Sequence, residues 1–377
     1  MTAATTVEGR LVLDDRIEAG RITIEDGMIG SVELTPETGG EGPIVAPGFV
    51  DVHVHGWGGH DAMGGPGALD GMARALLRRG VTSFLPTAVS APLDDLAIFA
   101  DRVRSWRPDA PSDGAEPLGF NLEGPFLAPS RRGAHDPAFL RVPADVPRPA
   151  LEPFLDGFRV LTIAPELAGA LELISWLRAR DVVSSIGHSA ATLAEARAGY
   201  AAGATSTTHL FNAMSGLDHR APGLAAAALL DDEAYVELIA DGIHVDPGLW
   251  PLIVRLKPPD RLLLVSDAIS LAGTGDGRGQ VGGLDVEVTG GRVTLAGTAT
   301  LAGSVLSLDV AVRNLVGEGV ELPAAVAAAS GNPSDLLGIT DRGRIAAGLR
   351  ADLVELDADL QVRRVMRAGA WFEGDRA

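Results

Sequence analysis

PGFVDVHVHG, residues 47–56, is an apolar run that ends in two histidines one residue apart. In an extended strand, side chains at positions i and i+2 share a face, so His53 and His55 project together from the strand's end. Neutral imidazole is a favoured ligand of zinc and similar divalent cations. An isolated His-x-His is more often a pair of structural histidines, so a metal site requires further ligands elsewhere in the chain.

Short β-type runs recur between residues 49 and 268, and Ala/Leu-rich segments with helical periodicity separate most of them. This alternation predicts parallel strands with right-handed crossovers. Eight such units within about 250 residues are typical of a TIM-like (β/α)8 barrel, and a doubly wound open sheet is the alternative. Residues 247–256 are a further candidate helix, since Pro247 suits a helix start, although Pro251 inside the segment weighs against it. The predicted strands are 49–55, 83–87, 118–124, 158–165, 182–188, 206–211, 235–241 and 261–267, and the predicted helices are 68–79, 93–106, 167–180 and 193–202.

The two ends of the chain differ from this pattern. Residues 8–34 and 351–373 alternate with a period of two, and Asp26-Gly27 is a hairpin signal. Because neither end is long enough to form a stable sheet alone, we expect them to meet in one small β-sandwich. The predicted domains are therefore 1–46 together with 346–377 for the small β domain, and 47–345 for the barrel, with a β-hairpin insertion near 276–300.

Composition restricts the classes of function and of site. The net charge of −19 argues against non-specific binding to nucleic acid or to an anionic membrane. No apolar run approaches the ~18 residues that span a bilayer, and no secretory signal is visible, so we expect a cytoplasmic protein. The chain has no cysteine, which excludes disulfides and thiolate ligands and leaves His, Asp and Glu for a metal site.

Polar side chains collect where the predicted strands end. In barrels of this kind, active sites are built at the carboxyl ends of the strands. One histidine at such a position is usually structural, but a ring of histidines and acids is hard to explain as core packing. The residues of this predicted ring are His53, His55, Glu123, His188, His209, His244 and Asp267.

Longer motifs carry a family resemblance. They are LEGPFL at 122–127, RGAH at 132–135, GHS at 187–189, HLFNAM at 209–214 and DGIH at 241–244. With the first motif, and with VSDA at 265–268, LAGS at 301–304 and GNP at 331–333, they resemble the N-acetylglucosamine-6-phosphate deacetylases of the amidohydrolase superfamily. The resemblance implies hydrolysis of N-acetyl-D-glucosamine 6-phosphate to D-glucosamine 6-phosphate and acetate, in amino-sugar catabolism. A deacetylase of another N-acetylhexosamine phosphate, such as N-acetylgalactosamine 6-phosphate, is the open alternative.

The resemblance also implies one essential divalent cation held by Glu123, His188 and His209. Zinc is the first expectation for it, and iron, manganese or cobalt are the alternatives. The resemblance does not decide whether a second cation binds at His53 and His55. If it does, Glu123 would be the bridging carboxylate. Many superfamily members bridge two metals with a carbamylated lysine instead, but the only lysine of this chain precedes the eighth strand rather than ending a strand.

Asp267 is implied to be the general base that takes a proton from water and returns it to the departing amine. An N-cap role for Asp267 would not explain the surrounding ring. In this family a phosphate-contacting arginine can come from the neighbouring subunit, so we expect a homodimer in which Arg220 serves its own or its neighbour's site. The residues implied to bind substrate are His135, Asn212, Ala213, Arg220 and His244.

Overall fold

The computed structural model describes residues 5–35 and 42–375 of the chain. In chain order its strands are β1 (Thr5–Val12), β2 (Ile17–Glu25), β3 (Met28–Leu34), β4 (Ile44–Pro47), β5 (Phe49–Val54), β6 (Gly56–Trp57), β7 (His60–Asp61), β8 (Val81–Val89), β9 (Glu116–Pro117), β10 (Phe120–Glu123), β11 (Phe158–Ile163), β12 (Val183–Ile186), β13 (Ser206–Thr207), β14 (Tyr235–Leu238), β15 (Leu262–Leu264), β16 (Gly277–Val281), β17 (Leu284–Thr289), β18 (Arg292–Leu295), β19 (Leu353–Leu356), β20 (Val362–Arg367) and β21 (Ala370–Glu373). Its helices are α1 (Pro66–Leu77), α2 (Leu93–Trp106), α3 (Ala170–Arg178), α4 (Leu193–Ala202), α5 (Leu224–Leu230), α6 (Trp250–Leu256), α7 (Leu308–Gly317), α8 (Leu322–Ala329) and α9 (Gly331–Leu336). Within the described ranges, no helix has the length and apolar character to cross a membrane.

Eight parallel strands form a nearly closed barrel in the order β5-β8-β10-β11-β12-β13-β14-β15. Main-chain hydrogen bonds just beyond the strand ends join the first and last of them. The N–H of Asp267 donates to the carbonyl of His53 at 2.9 Å, and the N–H of His55 donates to the carbonyl of Ala268 at 2.8 Å. The predicted (β/α)8 class is therefore confirmed, and the open sheet is not formed.

Most barrel strands combine apolar and small side chains on both faces, as buried parallel strands require. Every residue of β5 and of β8 is buried. Helix α2 covers this part of the barrel with a stripe of buried residues that includes Leu96, Phe99 and Val103. The predicted helix over 247–256 is confirmed as α6 after one turn of 3-10 helix, because Pro251 lies in its first turn, where no N–H is required.

Both ends of the chain build the small β domain, as predicted. Its strands hydrogen-bond into one seven-stranded sheet in the order β21-β20-β19-β4-β1-β2-β3, with an apolar cluster of its own that includes Leu11, Ile22 and Leu353. The hairpin signal Asp26-Gly27 connects β2 to β3, and both residues have the positive φ that a type I′ turn needs.

The predicted hairpin after the eighth barrel strand contains a third strand. Strands β16, β17 and β18 form an antiparallel sheet whose valines pack against Val89 and Ile269 of the barrel. This sheet therefore stands beside the carboxyl ends of the barrel strands and supplies one wall of the cleft there.

Candidate metal centre and substrate cleft

One cleft of about 340 Å³ opens at the carboxyl ends of the barrel strands. Most of the predicted site residues line it. His53 lies beneath the cleft and is fully buried, and Arg220 is exposed outside it. The predicted residues that line the cleft are His55, Glu123, His135, His188, His209, Asn212, Ala213, His244 and Asp267.

Glu123 is the centre of the cluster. It ends β10, and only 4% of its surface is exposed. Its Oε1 lies 3.0 Å from Nε2 of His188 and 2.9 Å from Nε2 of His209. Its Oε2 lies 3.2 Å from Nε2 of His55 and 3.2 Å from Nε2 of His135. One carboxylate therefore faces both predicted metal positions.

The histidines predicted to bind metal converge in pairs. The Nε2 atoms of His53 and His55 are 3.3 Å apart, and those of His188 and His209 are 3.2 Å apart. Imidazole nitrogens that approach each other around a carboxylate oxygen have the arrangement that ligands adopt around a shared cation. The donor set of neutral imidazoles and one carboxylate fits a divalent metal such as zinc.

In three of these histidines, the contact made by Nδ1 leaves Nε2 as the nitrogen that faces the cluster. A carbonyl or carboxylate oxygen can only accept a hydrogen bond, so an Nδ1 beside one carries the hydrogen. The Nε2 lone pair is then free for a cation, as in most metal-binding histidines. The three contacts join His53 to Glu237 Oε2 at 3.0 Å, His55 to the Thr87 carbonyl at 3.1 Å and His188 to the Arg131 carbonyl at 2.8 Å.

His135 has the opposite arrangement. The main-chain N–H of Ser90 donates to its Nδ1 at 3.2 Å, so Nδ1 is the acceptor and Nε2 carries the hydrogen. That Nε2–H faces the carboxylate of Glu123 and the cleft. His135 is therefore presented as a hydrogen-bond donor rather than as a ligand.

Asp267 lies across the cluster from Glu123. Its Oδ1 is 3.1 Å from Nε2 of His55 and 3.6 Å from Nε2 of His53. Burial opposes protonation of His55, but the carboxylates of Asp267 and Glu123 raise the pKa of its ring to about 9. Burial alone would raise the pKa of Asp267, but the hydrogen bond from this protonated ring and the nearby His53 hold that pKa at about 2. Asp267 is therefore ionised at neutral pH and able to accept a proton.

Burial and charge act in opposite directions on the remaining groups of the cluster. Burial lowers the pKa of His188 to about 4, which keeps its imidazole neutral. Burial also opposes ionisation of Glu123, yet His135, His53 and His188 hold the pKa of its carboxyl well below its usual range. Burial also opposes protonation of His53 and His209, yet the neighbouring carboxylates raise the pKa of both rings. A divalent cation would therefore displace protons from these rings when it binds the cluster.

The outer part of the cleft contains groups suited to a polar ligand. His244 donates its Nδ1–H to Asp241 at 2.7 Å, which fixes the ring at the cleft wall. Asn212 and Ala213 lie in the tight loop after β13, where Ala213 has a φ of 47°. The Arg220 guanidinium contacts His219 instead, with Nε 3.0 Å from that ring's Nε2, and does not reach the cleft of its own chain.

Sequence reasoning missed several contributors to the site. Glu237 occupies a strand position that nothing in the local pattern marks as functional. Thr87 and Arg131 act through their main-chain carbonyls, which leave no trace in residue type. Arg131 and Thr300 also line the cleft. Arg131 directly precedes the RGAH motif and forms a basic pair with its first residue, a signal that would have pointed to it.

Comparison with known proteins identifies the family of the chain. The amidohydrolase family matches residues 44–372. The chain is 38% identical over 374 residues to the N-acetylgalactosamine-6-phosphate deacetylase of Escherichia coli O157:H7, covering 97% of this chain and 95% of that protein. It is 40% identical over 346 residues to the N-acetylglucosamine-6-phosphate deacetylase of Bos taurus, covering 87% and 83%.

Solved structures agree with the curated relatives. The N-acetylglucosamine-6-phosphate deacetylase of Thermotoga maritima superposes with a TM-score of 0.92 at 36% identity, over 98% of this chain and 100% of that chain. A mutant of the Mycobacterium smegmatis enzyme in complex with N-acetyl-D-glucosamine-6-phosphate superposes with a TM-score of 0.89 at 35% identity, over 98% and 99%. The chain therefore belongs to the amidohydrolase family, in the group of the N-acetylglucosamine-6-phosphate deacetylases and their N-acetylgalactosamine-6-phosphate counterparts.

Proposed function

We propose that the protein is a divalent-metal-dependent deacetylase that converts N-acetyl-D-glucosamine 6-phosphate to D-glucosamine 6-phosphate and acetate. The observation that carries this proposal is the carboxylate of Asp267 beside a Glu123-centred histidine cluster at the base of an open cleft. Binding alone would not need a proton acceptor at that point. The absence of cysteine suits a reducing compartment, so we place the reaction in the cytoplasm.

We propose that Glu123, His188 and His209 bind the essential cation. Zinc suits the nitrogen and oxygen donors of these residues. A bound divalent cation lowers the pKa of water and polarises a carbonyl oxygen. His53 and His55 offer a second position that shares Glu123. Metal analysis of the purified protein tests both the identity and the number of cations.

Three residues of the chain carry the proposed proton transfers and substrate contacts. Asp267 takes a proton from the attacking water and delivers it to the amide nitrogen as the bond to the acetyl carbon breaks. His135 points its Nε2–H into the cleft and donates to the acetyl carbonyl oxygen or to a sugar hydroxyl. His244 contacts the sugar, with its orientation fixed by Asp241.

We propose that Asn212 and the main chain of Ala213 contact the phosphate, since both line the outer cleft. A guanidinium fork matches paired phosphate oxygens, and Arg220 would complete the contact. Because Arg220 lies outside the cleft of its own chain, we propose that it acts in the neighbouring subunit of a homodimer. Sedimentation of the parent and of Arg220→Ala, with the KM of each, tests this assembly.

The galacto epimer is the second candidate substrate. The N-acetylgalactosamine-6-phosphate deacetylase of Escherichia coli O157:H7 aligns with 97% of this chain, a larger share than the Bos taurus enzyme. The two substrates differ in the orientation of one hydroxyl, and either fits the same chemistry.

Acetate release from a panel of substrates tests the proposal. The panel contains both N-acetylhexosamine 6-phosphates and unphosphorylated N-acetylglucosamine. We expect the gluco 6-phosphate to be hydrolysed fastest and the unphosphorylated sugar to react far more slowly. A faster reaction with the galacto 6-phosphate would establish the second candidate. Absence of both acetate release and bound divalent metal would refute the proposal.

A further inference from the structure

Glu237 is a buried acid in the middle of an otherwise apolar strand. It lies in β14, which reads Tyr-Val-Glu-Leu, and only 1% of its surface is exposed. A carboxylate is expensive to bury unless other groups compensate its charge and satisfy its oxygens. Its contacts therefore indicate what its position in the barrel serves.

One oxygen of Glu237 joins two of the proposed ligand residues. Its Oε2 accepts the Nδ1–H of His53 at 3.0 Å and the main-chain N–H of His209 at 3.1 Å. The carbonyl of Glu237 also accepts the N–H of Leu210 at 2.8 Å. The seventh barrel strand thus fixes a side chain of the first strand and the main chain at the end of the sixth.

We propose that Glu237 is a positioning residue that builds the second metal position at His53 and His55 and keeps His209 in place for the first. This inference rests on the proposed metal-dependent function. Because Glu237 accepts from Nδ1, His53 presents its Nε2 lone pair to the cluster. That nitrogen lies 3.3 Å from Nε2 of His55 and 3.7 Å from Oε1 of Glu123.

His209 needs this support more than the other ligand histidines do. Its Nδ1 is buried and has no hydrogen-bond partner among the described residues, whereas each of the other three ligand rings is held through Nδ1. The orientation of His209 therefore depends on its main chain, which adopts a positive φ of 27°. The hydrogen bond from that main chain to Glu237 holds the conformation.

Zinc titration of the metal-free protein tests the inference. A chelator first removes metal from the parent, Glu237→Ala and Glu237→Gln. Zinc binding to each protein is then measured by competition with a chromophoric chelator. We expect two zinc ions per parent chain and a 10- to 100-fold weaker second site in Glu237→Ala, roughly the effect of losing such a contact to a ligand histidine. Glu237→Gln should lose less, because an amide oxygen can keep both hydrogen bonds.

Asp51→Asn is the matched control. Asp51 is also fully buried, but its hydrogen bonds come from the main-chain N–H groups of His53 and Ser266, at 3.3 and 3.4 Å, and from the Ser266 side chain. None of them comes from an imidazole ring. We expect this variant to bind both zinc ions as the parent does. An equal loss of zinc affinity in Asp51→Asn would overturn the inference, as would a parent that binds one zinc ion or a Glu237→Ala that binds two with parental affinity.

Imidazole nitrogen NMR of the metal-free protein gives a second readout. We expect the Nδ1–H of His53 to be hydrogen-bonded in the parent and to lose that hydrogen bond in Glu237→Ala, which changes its proton and nitrogen shifts. Unchanged His53 shifts in Glu237→Ala would overturn the positioning role, and Glu237→Leu, which accepts no hydrogen bond, decides the matter if the alanine variant does not fold. Neither experiment uses substrate, so a parent that released no acetate would refute the proposed function without deciding the role of Glu237.

Discussion

Replacement of Asp267 by asparagine isolates the proposed proton transfer. Asp267 has a φ of 49°, a conformation that asparagine tolerates better than other non-glycine residues. Its main-chain N–H donates to His53 and its carbonyl accepts from Ser304 at 2.7 Å, and neither contact involves the side chain. The substitution therefore keeps the backbone and the side-chain shape, and it removes the negative charge together with the capacity to accept a proton.

The expected loss follows from the role and the surroundings of the carboxylate. A positioned general base contributes about 10²- to 10⁴-fold to a rate. At about 1.36 kcal/mol per tenfold, that corresponds to roughly 2.7–5.4 kcal/mol of activation free energy. Asp267 is 7% exposed, so bulk water has little access with which to replace it. We expect kcat to fall about 10³-fold, with little change in KM because the phosphate contacts lie elsewhere in the cleft.

Acetate release at saturating substrate, with the metal content of each preparation measured, checks this expectation. Asp26→Asn is the matched control, since Asp26 has the same φ of 49° in a turn of the small sheet, remote from the cleft. We expect the control to retain the parental rate. An Asp267→Asn variant that binds metal and hydrolyses substrate as fast as the parent would refute the assigned mechanism.

Three further outcomes are expected. Removal of metal by a chelator should abolish acetate release, and restoring zinc at 100 times its Kd should stabilise the folded protein by about 2.7 kcal/mol in urea unfolding. Burial lowers the pKa of Lys257 to about 8, so the unfolded chain binds more protons between pH 8 and about 10.4. Over that range the parent should gain unfolding free energy relative to Lys257→Met, and a constant difference would contradict this. Arg79 forms a buried ion pair with Asp309 at 2.7 Å at the end of the barrel opposite the cleft. Arg79→Met should lose about 3 kcal/mol of unfolding free energy while its KM stays unchanged.

Most of the barrel strands were predictable because they are short runs of apolar and small residues between turn residues. Periodic helices follow the first, second, fourth and fifth of them. Helices α2 and α4 have the bounds that their periodicity predicts. Helices α5 and α8 were not predicted, since LAAAALL and LPAAVAAA are apolar on nearly every face and carry no amphipathic signal. Burial between other elements, rather than local pattern, makes these segments helical.

The placement of the site at the strand ends was predictable from topology, because parallel strands bring their carboxyl ends together. The role of each residue within the site was not predictable. Whether His135 presents a lone pair or an N–H depends on a main-chain donor at Ser90, and no residue pattern encodes that contact. Arg220 shows a further limit, since a single chain does not reveal where a neighbouring subunit would place it.

The join between the first and last barrel strands has a consequence for folding kinetics. The hydrogen bonds that close the barrel belong to His53, His55 and Asp267 themselves, and Ser266 contacts Asp51 from 215 positions away along the chain. Contacts of such long sequence separation form slowly, because the entropy of closing the intervening loop must be lost first. Activity on refolding should therefore return with the final closure of the barrel, after most of the secondary structure has formed.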